Sequence, residues 1–194
     1  MEQKSLNDHS NEKSDEKITL SIQEGDVDLF GFLIERYKKR IARYARKFLS
    51  DSEDINDIVQ RIFIKVYVNI QSFDSKRKFS SWIYRIAHNE LVNTLKKKKK
   101  FLPLFDLDTF LPHTLKDNSL NREIDSQDTK KMINKCLNYL ELKYREPIIL
   151  CYLEKLSYKE IADVMKIPIS TVGVRIKRGK KIMKSIFKKL GYTL

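Results

Sequence analysis

Apolar residues in this chain recur at three- and four-residue spacing over several long stretches, and nowhere at the two-residue spacing of a half-buried strand. That periodicity predicts an all-α fold. Leu29, Phe32, Leu33, Tyr37, Ile41, Tyr44, Ala45 and Phe48 mark a first helix from Asp28 to Leu49. Ile55, Ile58, Val59, Ile62, Phe63, Val66 and Ile70 form one stripe of a second helix over about 52–71, with Asp51 as its cap. Ser80 and Ser81 signal the start of a third helix near 81–99, buried through Ile83, Ile86, Ala87 and Leu91. The pattern resumes with Met132, Ile133, Cys136, Leu137 and Leu140. A short helix is expected around Pro147–Leu153, with the proline in its first turn. Ser157 and Glu160, three apart, read as a capping box that opens a brief helix through Ile161, Ala162, Val164 and Met165. Ser170 is expected to cap a last helix over about 171–190, whose stripe is Val172, Ile176, Gly179, Met183, Ile186, Phe187 and Leu190.

Charge divides the chain into blocks. The net charge is +13 over 194 residues. Residues 1–28 carry eight acids against three bases, and residues 101–128 six acids against two. Residues 29–100 and 129–194 are each net +11. Two basic helical modules joined by an acidic, Pro103- and Pro112-containing connector suit a polyanion held at two places, and nucleic acid is the default polyanion. The expected organisation is a mobile tail (1–25), a first domain (26–100), a flexible linker (101–128) whose apolar run Phe101–Leu111 can dock, and a second domain (129–194). No run approaches the ~20 apolar residues of a membrane span. The polar N-terminus lacks the apolar core of a secretion signal. Cys136 and Cys151 are too few for a disulfide framework and fit a reducing, cytoplasmic setting as buried thiols. His9, His88 and His113 are scattered and suggest neither a metal site nor a catalytic constellation. With no Gly-rich phosphate loop and no nucleophile motif, the chain reads as a binding protein without cofactor, metal or small-molecule substrate.

Three features carry function. A short helix, a tight turn and a long basic helix at the C-terminus have helix-turn-helix spacing, with small Ala162 at the approach and Val172 ten positions on. Thr171, Val174, Lys177, Arg178 and Lys181 lie opposite the core stripe, and no acid follows Asp163, so this helix can enter a major groove. Phe73, Phe79, Trp82 and Tyr84 interleave with Lys76, Arg77, Lys78 and Arg85, a mixture that suits unstacked bases and their phosphates. Any one of these aromatics could equally plug the helix junction, so the reading rests on the cluster. Asp54, Asp57, Gln60 and Ile64 share the far side of the second helix. Acids on a basic module suit a protein partner rather than phosphate, although early-helix acids also favour the macrodipole.

Together the stretches DSEDINDIVQRIFIKVYVNIQSF (51–73), KFSSWIYRIAHNELVNTLKKKKK (78–100) and YREPIILCYLEKLSYKEIADVMKIPISTVGVRIKRGKKIM (144–183) resemble a bacterial RNA polymerase sigma factor of the extracytoplasmic-function (ECF) group. The first two resemble the family's region 2 and the third its region 4. The resemblance implies two small helical domains, a region-2 bundle and a region-4 helix-turn-helix, joined by a flexible linker. It also implies a partner, core RNA polymerase, gripped through the beta-prime clamp helices and the beta flap. Asp54, Asp57, Gln60, Arg61 and Ile64 would meet the clamp helices. Lys76, Arg77, Lys78, Phe79, Trp82, Arg85, His88 and Asn89 would take single-stranded minus-ten DNA, and Lys96, Lys97, Lys98, Lys99 and Lys100 would track phosphate. Ser170, Thr171, Val174, Arg175, Lys177, Arg178 and Lys181 would read duplex minus-thirty-five DNA. The linker would thread toward the polymerase active centre, and an anti-sigma factor would be a further partner. Lys166 stands where the family often has Gly, Gly173 and Val174 where polar or basic residues are usual, and Arg61 where an acid is common. The competing reading is a stand-alone helix-turn-helix regulator, which would have no use for Asp57, Gln60 and Ile64.

Overall fold

The computed structural model describes residues 13–101 and 126–190. Residues 102–125 of the expected linker, including its apolar run beyond Phe101, lie outside the described residues, as do residues 1–12 of the expected tail, His9 and His113. Among the described residues there are eight α-helices and no strand. They are α1 (Asp15–Gln23), α2 (Phe30–Ala45), α3 (Ser52–Asn69), α4 (Phe79–Phe101), α5 (Ser126–Asn138), α6 (Leu142–Ile148), α7 (Tyr158–Met165) and α8 (Ile169–Lys189). The chain divides into two compact units, one formed mainly by residues up to Lys97 and the other mainly by those beyond.

In the N-terminal unit α2 packs on α3. Its core contains Leu33, Tyr37, Ile41 and Tyr44 from α2, Ile58, Ile62 and Val66 from α3, and Phe79, Ile83, Tyr84 and Leu91 from α4. The α2 and α3 residues, with Ile83 and Leu91, are the stripes expected from the three- and four-residue spacing, whereas Phe79 and Tyr84 join the core unexpectedly and Ile86 is only half-buried. Asp51 caps α3 as its type predicts, accepting hydrogen bonds from the amides of Glu53 (2.7 Å) and Asp54 (3.2 Å). Two edges of this unit differ from expectation. Residues 15–23 were expected in a mobile tail, yet they form α1, with Ser14 as its N-cap and Ile18 and Ile22 fully buried. With one apolar pair two turns long, α1 has too little periodicity to announce itself. It is held by tertiary burial, and by Asp15 accepting from Arg36 (2.7 Å) and the Tyr37 hydroxyl (2.6 Å). The first long helix also ends at Ala45, four residues short of the expected end, in a turn that buries Phe48 and Leu49.

In the C-terminal unit α6 packs chiefly on α8. The short helix here begins at Leu142 rather than Pro147, so the proline lies inside it. The chain then widens into a π-helical turn over Ile149–Leu153, where the Glu154 amide reaches the Ile149 carbonyl (3.1 Å). Arg145, 5% exposed, donates to the carbonyls of Asn138 (2.6 Å) and Leu140 (2.8 and 3.1 Å). It thereby satisfies the open C-terminal end of α5. Burial lowers its pKa to about 10, which leaves it charged at neutral pH. The stripe on α8 is buried at Val172, Ile176 and Gly179, whereas Met183, Ile186, Phe187 and Leu190 are only half-buried.

Candidate functional site

Three surfaces carry the residues singled out in the sequence. The first is α3. Asp57, Gln60, Arg61 and Ile64 are exposed and Asp54 is half-buried. Ile64 is 62% exposed and Val68, one turn further along the same stripe, 70%. Tyr67 is exposed beside it and meets Phe30 edge to face (5.1 Å). Val68 and Tyr67 were not anticipated, although the spacing Asp57, Ile64, Val68 continues one line down the helix. Arg61 starts on that line, but its guanidinium folds back onto α4. There it pairs with Glu90 (3.4 Å) and donates to Thr94 (3.2 Å). Lys65 pairs with the same buried carboxylate (2.5 Å). Arg61 in this structure therefore ties α3 to α4, although its side chain stays exposed.

The second surface runs from the loop between α3 and α4 onto α4. Lys76, Arg77 and Lys78 are exposed on the loop, Asn89 is exposed on α4, and Trp82, Arg85 and His88 are half-buried there. Phe79 corrects the expectation. It is fully buried, edge to face with Tyr37 (5.3 Å) and Phe73 (5.6 Å), so it is core and offers no face to a base. Phe73 and Tyr84 are buried as well, so of the interleaved aromatics only Trp82 reaches the surface. Its ring is tilted against Phe73 (5.1 Å) and Phe79 (5.7 Å), which fix its plane. Trp82 also lines a cleft of about 240 Å³ with Lys65, Asn69, Ser72, Ile86, Asn89 and Glu90. Asn69 and Ser72, missed in the sequence, come to this cleft because the 3₁₀ turn over Ile70–Ser72 ends α3 there. Lys96, Lys97 and Lys98 are exposed along the end of α4, while the side chains of Lys99 and Lys100 lie outside the described residues.

The third surface is the α7–turn–α8 segment. The capping box forms reciprocally: the Ser157 amide donates to Glu160 (2.8 Å) and the Glu160 amide to Ser157 Oγ (3.3 Å). Lys166 takes a left-handed conformation (φ 53°), and the Ile167 amide reaches back to the Ala162 carbonyl (3.2 Å), closing α7 with a Schellman turn. Ala162 and Val172 are buried, as helix-turn-helix packing requires. The expected Ser170 cap is absent, because α8 begins at Ile169 with Pro168 before it and no side-chain cap. Pro168 presets the entry, so Ser170 and Thr171 stand inside the first turn with other uses open to them. Ser170, Val174, Lys177, Arg178 and Lys181 are exposed, and Thr171 and Arg175 half-buried. Thr171, Val174, Arg175 and Arg178 follow one helical line, with no acid on α8.

Among the described residues no group of three or more His, Cys, Asp or Glu side chains is placed to hold a metal ion. No described helix is long and apolar enough to cross a membrane.

Comparison with known proteins identifies the family of the chain. The family model for sigma-70 region 2 matches residues 33–101, and that for sigma-70 region 4 matches residues 130–183. The chain is 35% identical over 173 residues to the ECF RNA polymerase sigma factor SigW of Bacillus subtilis, covering 84% of this chain and 91% of SigW. It is 30% identical over 179 residues to the ECF RNA polymerase sigma-E factor of Escherichia coli, covering 89% of this chain and 93% of that one. In fold it is similar to CnrH, solved in complex with the cytosolic domain of CnrY. There the TM-score is 0.67 at 21% identity, over 91% of this chain and 99% of that one. It is likewise similar to the sigma factor RpoE of Bartonella quintana, solved with the anti-sigma factor NepR. That match has a TM-score of 0.65 at 23% identity, over 82% of this chain and 96% of that one.

Proposed function

Because the chain belongs to the ECF sigma factors of bacterial RNA polymerase, we propose that it divides promoter recognition among the three surfaces described above. It binds core polymerase, directs it to specific promoters and helps open the minus-ten region. It works in the cytoplasm, as a binding factor rather than an enzyme, and an anti-sigma factor is a natural antagonist.

The observation that carries this reading is the contrast between the surfaces. On α3, Asp57, Gln60, Ile64 and Val68 offer an apolar line flanked by polar groups, and the neighbouring cations Arg61 and Lys65 are paired with Glu90, which suits a protein partner and not phosphate. This is the surface for the beta-prime clamp helices. On α4, Trp82 is the one aromatic of its cluster at the surface, braced by two buried rings over a polar cleft. An unstacked base in that cleft would meet a fixed ring plane, with amide groups of Asn69 and Asn89 for its edge. Lys76, Arg77, Lys78 and Arg85 supply charge for the same strand, and the lysines at the end of α4 extend it. On α8, Arg175, Lys177, Arg178 and Lys181 meet a duplex. Val174, exposed between them, gives apolar contact to a thymine methyl. The minus-thirty-five element belongs here.

The test is run-off transcription with core polymerase on genomic fragments, with the transcript starts mapped. The protein should produce starts at a limited set of sites sharing two elements. Ile64→Asp should abolish starts by weakening polymerase binding about tenfold or more, while unfolding as the parent does, since exposed substitutions shift stability by only ~0.5 kcal/mol. A protein that binds duplex DNA tightly alone, yet gives no starts with core polymerase, would be a stand-alone regulator instead.

A further inference from the structure

The basic loop between α3 and α4 is clamped at both ends by α1, a helix that lies before the segment matched by the region 2 family model. At one end the Gln23 side-chain amide donates to two carbonyls, of Ile70 (2.7 Å) and Phe73 (2.9 Å). Gln71 returns a long contact to the Gln23 carbonyl (3.5 Å). At the other end the Glu16 carboxylate accepts from the amide of Phe79, the first residue of α4 (3.1 Å). The two anchors lie seven residues apart on α1, two turns, so they share one face of it. Ile18 and Ile22, buried between them, hold that face down. Within the loop, Asp74 accepts from Lys76 (3.0 Å) through its side chain and from Arg77 (2.9 Å) through its carbonyl. Both ends of the loop are thus held by α1, beside the buried rings of Phe73 and Phe79 that pack on Trp82.

We infer that α1 sets the geometry of single-strand capture, with Glu16 and Gln23 as positioning residues that hold the loop cations and the Phe73–Phe79 support of Trp82 in register. The inference rests on the assignment of single-stranded minus-ten DNA to this loop and to α4. Neither residue would touch DNA. Each would act through backbone atoms at the loop ends: a carbonyl pair before Asp74 and the first free amide of α4. A carboxylate at that amide also favours the positive end of the helix.

Two measurements test it. The first is hydrogen exchange on the full chain, which needs no DNA. Glu16→Ala, which removes one hydrogen bond, should raise exchange at residues 74–79 about tenfold, and Gln23→Leu, which removes two, at least as much. Exchange in the middle of α3 should be unchanged, and Glu16→Gln, which keeps an acceptor oxygen, should restore the parental rate. The second uses holoenzyme on a promoter fragment taken from the mapped starts, with its minus-ten segment opened by mismatches. Both disruptive variants should release this template about tenfold faster. They should bind core polymerase as the parent does and hold a duplex carrying only the minus-thirty-five element unchanged. Equal losses in all three binding measurements would make α1 mere scaffold and overturn the inference. Unchanged exchange or unchanged template release would overturn it as well. A parent holoenzyme that fails to hold the opened template, with exchange changed as expected, would instead refute the strand-capture assignment and remove the inference's functional half.

Discussion

Gly173 and Gly179 lie six residues apart on α8, and the same substitution at each should have opposite consequences. In a helix, Ala is favoured over Gly by about 1 kcal/mol, and that gain is common to both sites. What faces each glycine is not. A Cβ at 173 would stand 3.6 and 3.9 Å from ring carbons of Tyr158, an ordinary contact. Gly173→Ala should keep the whole gain and stabilise the C-terminal unit by about 0.5–1 kcal/mol. A Cβ at 179 would stand 2.7 Å from Cδ1 of Ile148, 3.3 Å from Cβ of Tyr144 and 3.4 Å from the Tyr144 carbonyl oxygen. The last two atoms belong to or adjoin the α6 backbone and cannot rotate aside, and Ile148 is itself buried. The helices must part, at about 1–3 kcal/mol for overpacking. The shared propensity term cancels between the two variants, so they differ by that overpacking cost alone. For a unit of this size each kcal/mol is about 4–8 °C in Tm, so the variants should separate by at least ~4 °C, Gly173→Ala above the parent and Gly179→Ala below it. Calorimetry on the full chain reads this directly. Equal shifts of the same sign would mean that the close approach of α6 and α8 at Gly179 does not exist in solution.

Arg178→Ala should cost ~1–3 kcal/mol of minus-thirty-five binding and relax sequence preference, whereas neutralising Lys96 and Lys97 should weaken all sequences alike and flatten the salt dependence. Equal losses for Arg178→Ala on cognate and scrambled duplexes, by fluorescence anisotropy, would refute that division. Lys166→Gly should relieve its left-handed conformation (φ 53°) and raise the stability of the C-terminal unit by up to about 1 kcal/mol. An unchanged or lowered urea midpoint would count against strain at that turn. Burial and the Asp15 carboxylate hold the Tyr37 hydroxyl well above the ordinary value of 10.0. Above about pH 10 the unfolded chain therefore releases a proton that the folded chain keeps, and stability falls as pH rises past that point. Urea midpoints measured between about pH 9 and 11 should fall less steeply in Tyr37→Phe than in the parent; parallel slopes would contradict this.

The all-helical class, the core stripes of the long helices, the Asp51 cap and the Ser157–Glu160 box are all local relations, set by residues within a turn or two of one another. Such relations can be read along a chain. So can the basic face of α8, because a helix carries its own geometry with it. The tertiary structure decided what depends on neighbours distant in sequence. Phe79 and Trp82 look alike in the chain, yet one is sealed by Tyr37 and Phe73 while the other lines a cleft. Arg61 sits on the outward line of α3, but Glu90, nearly thirty residues later, draws it back. Pro147 falls inside α6 because the helix starts at Leu142, a position fixed by packing on α8 rather than by the proline. α1 has too little apolar pattern to be stable alone and exists because Ile18 and Ile22 find a core already built by later helices. Periodicity records which way a side chain points from its own helix; which atoms it meets there depends on how the helices pack.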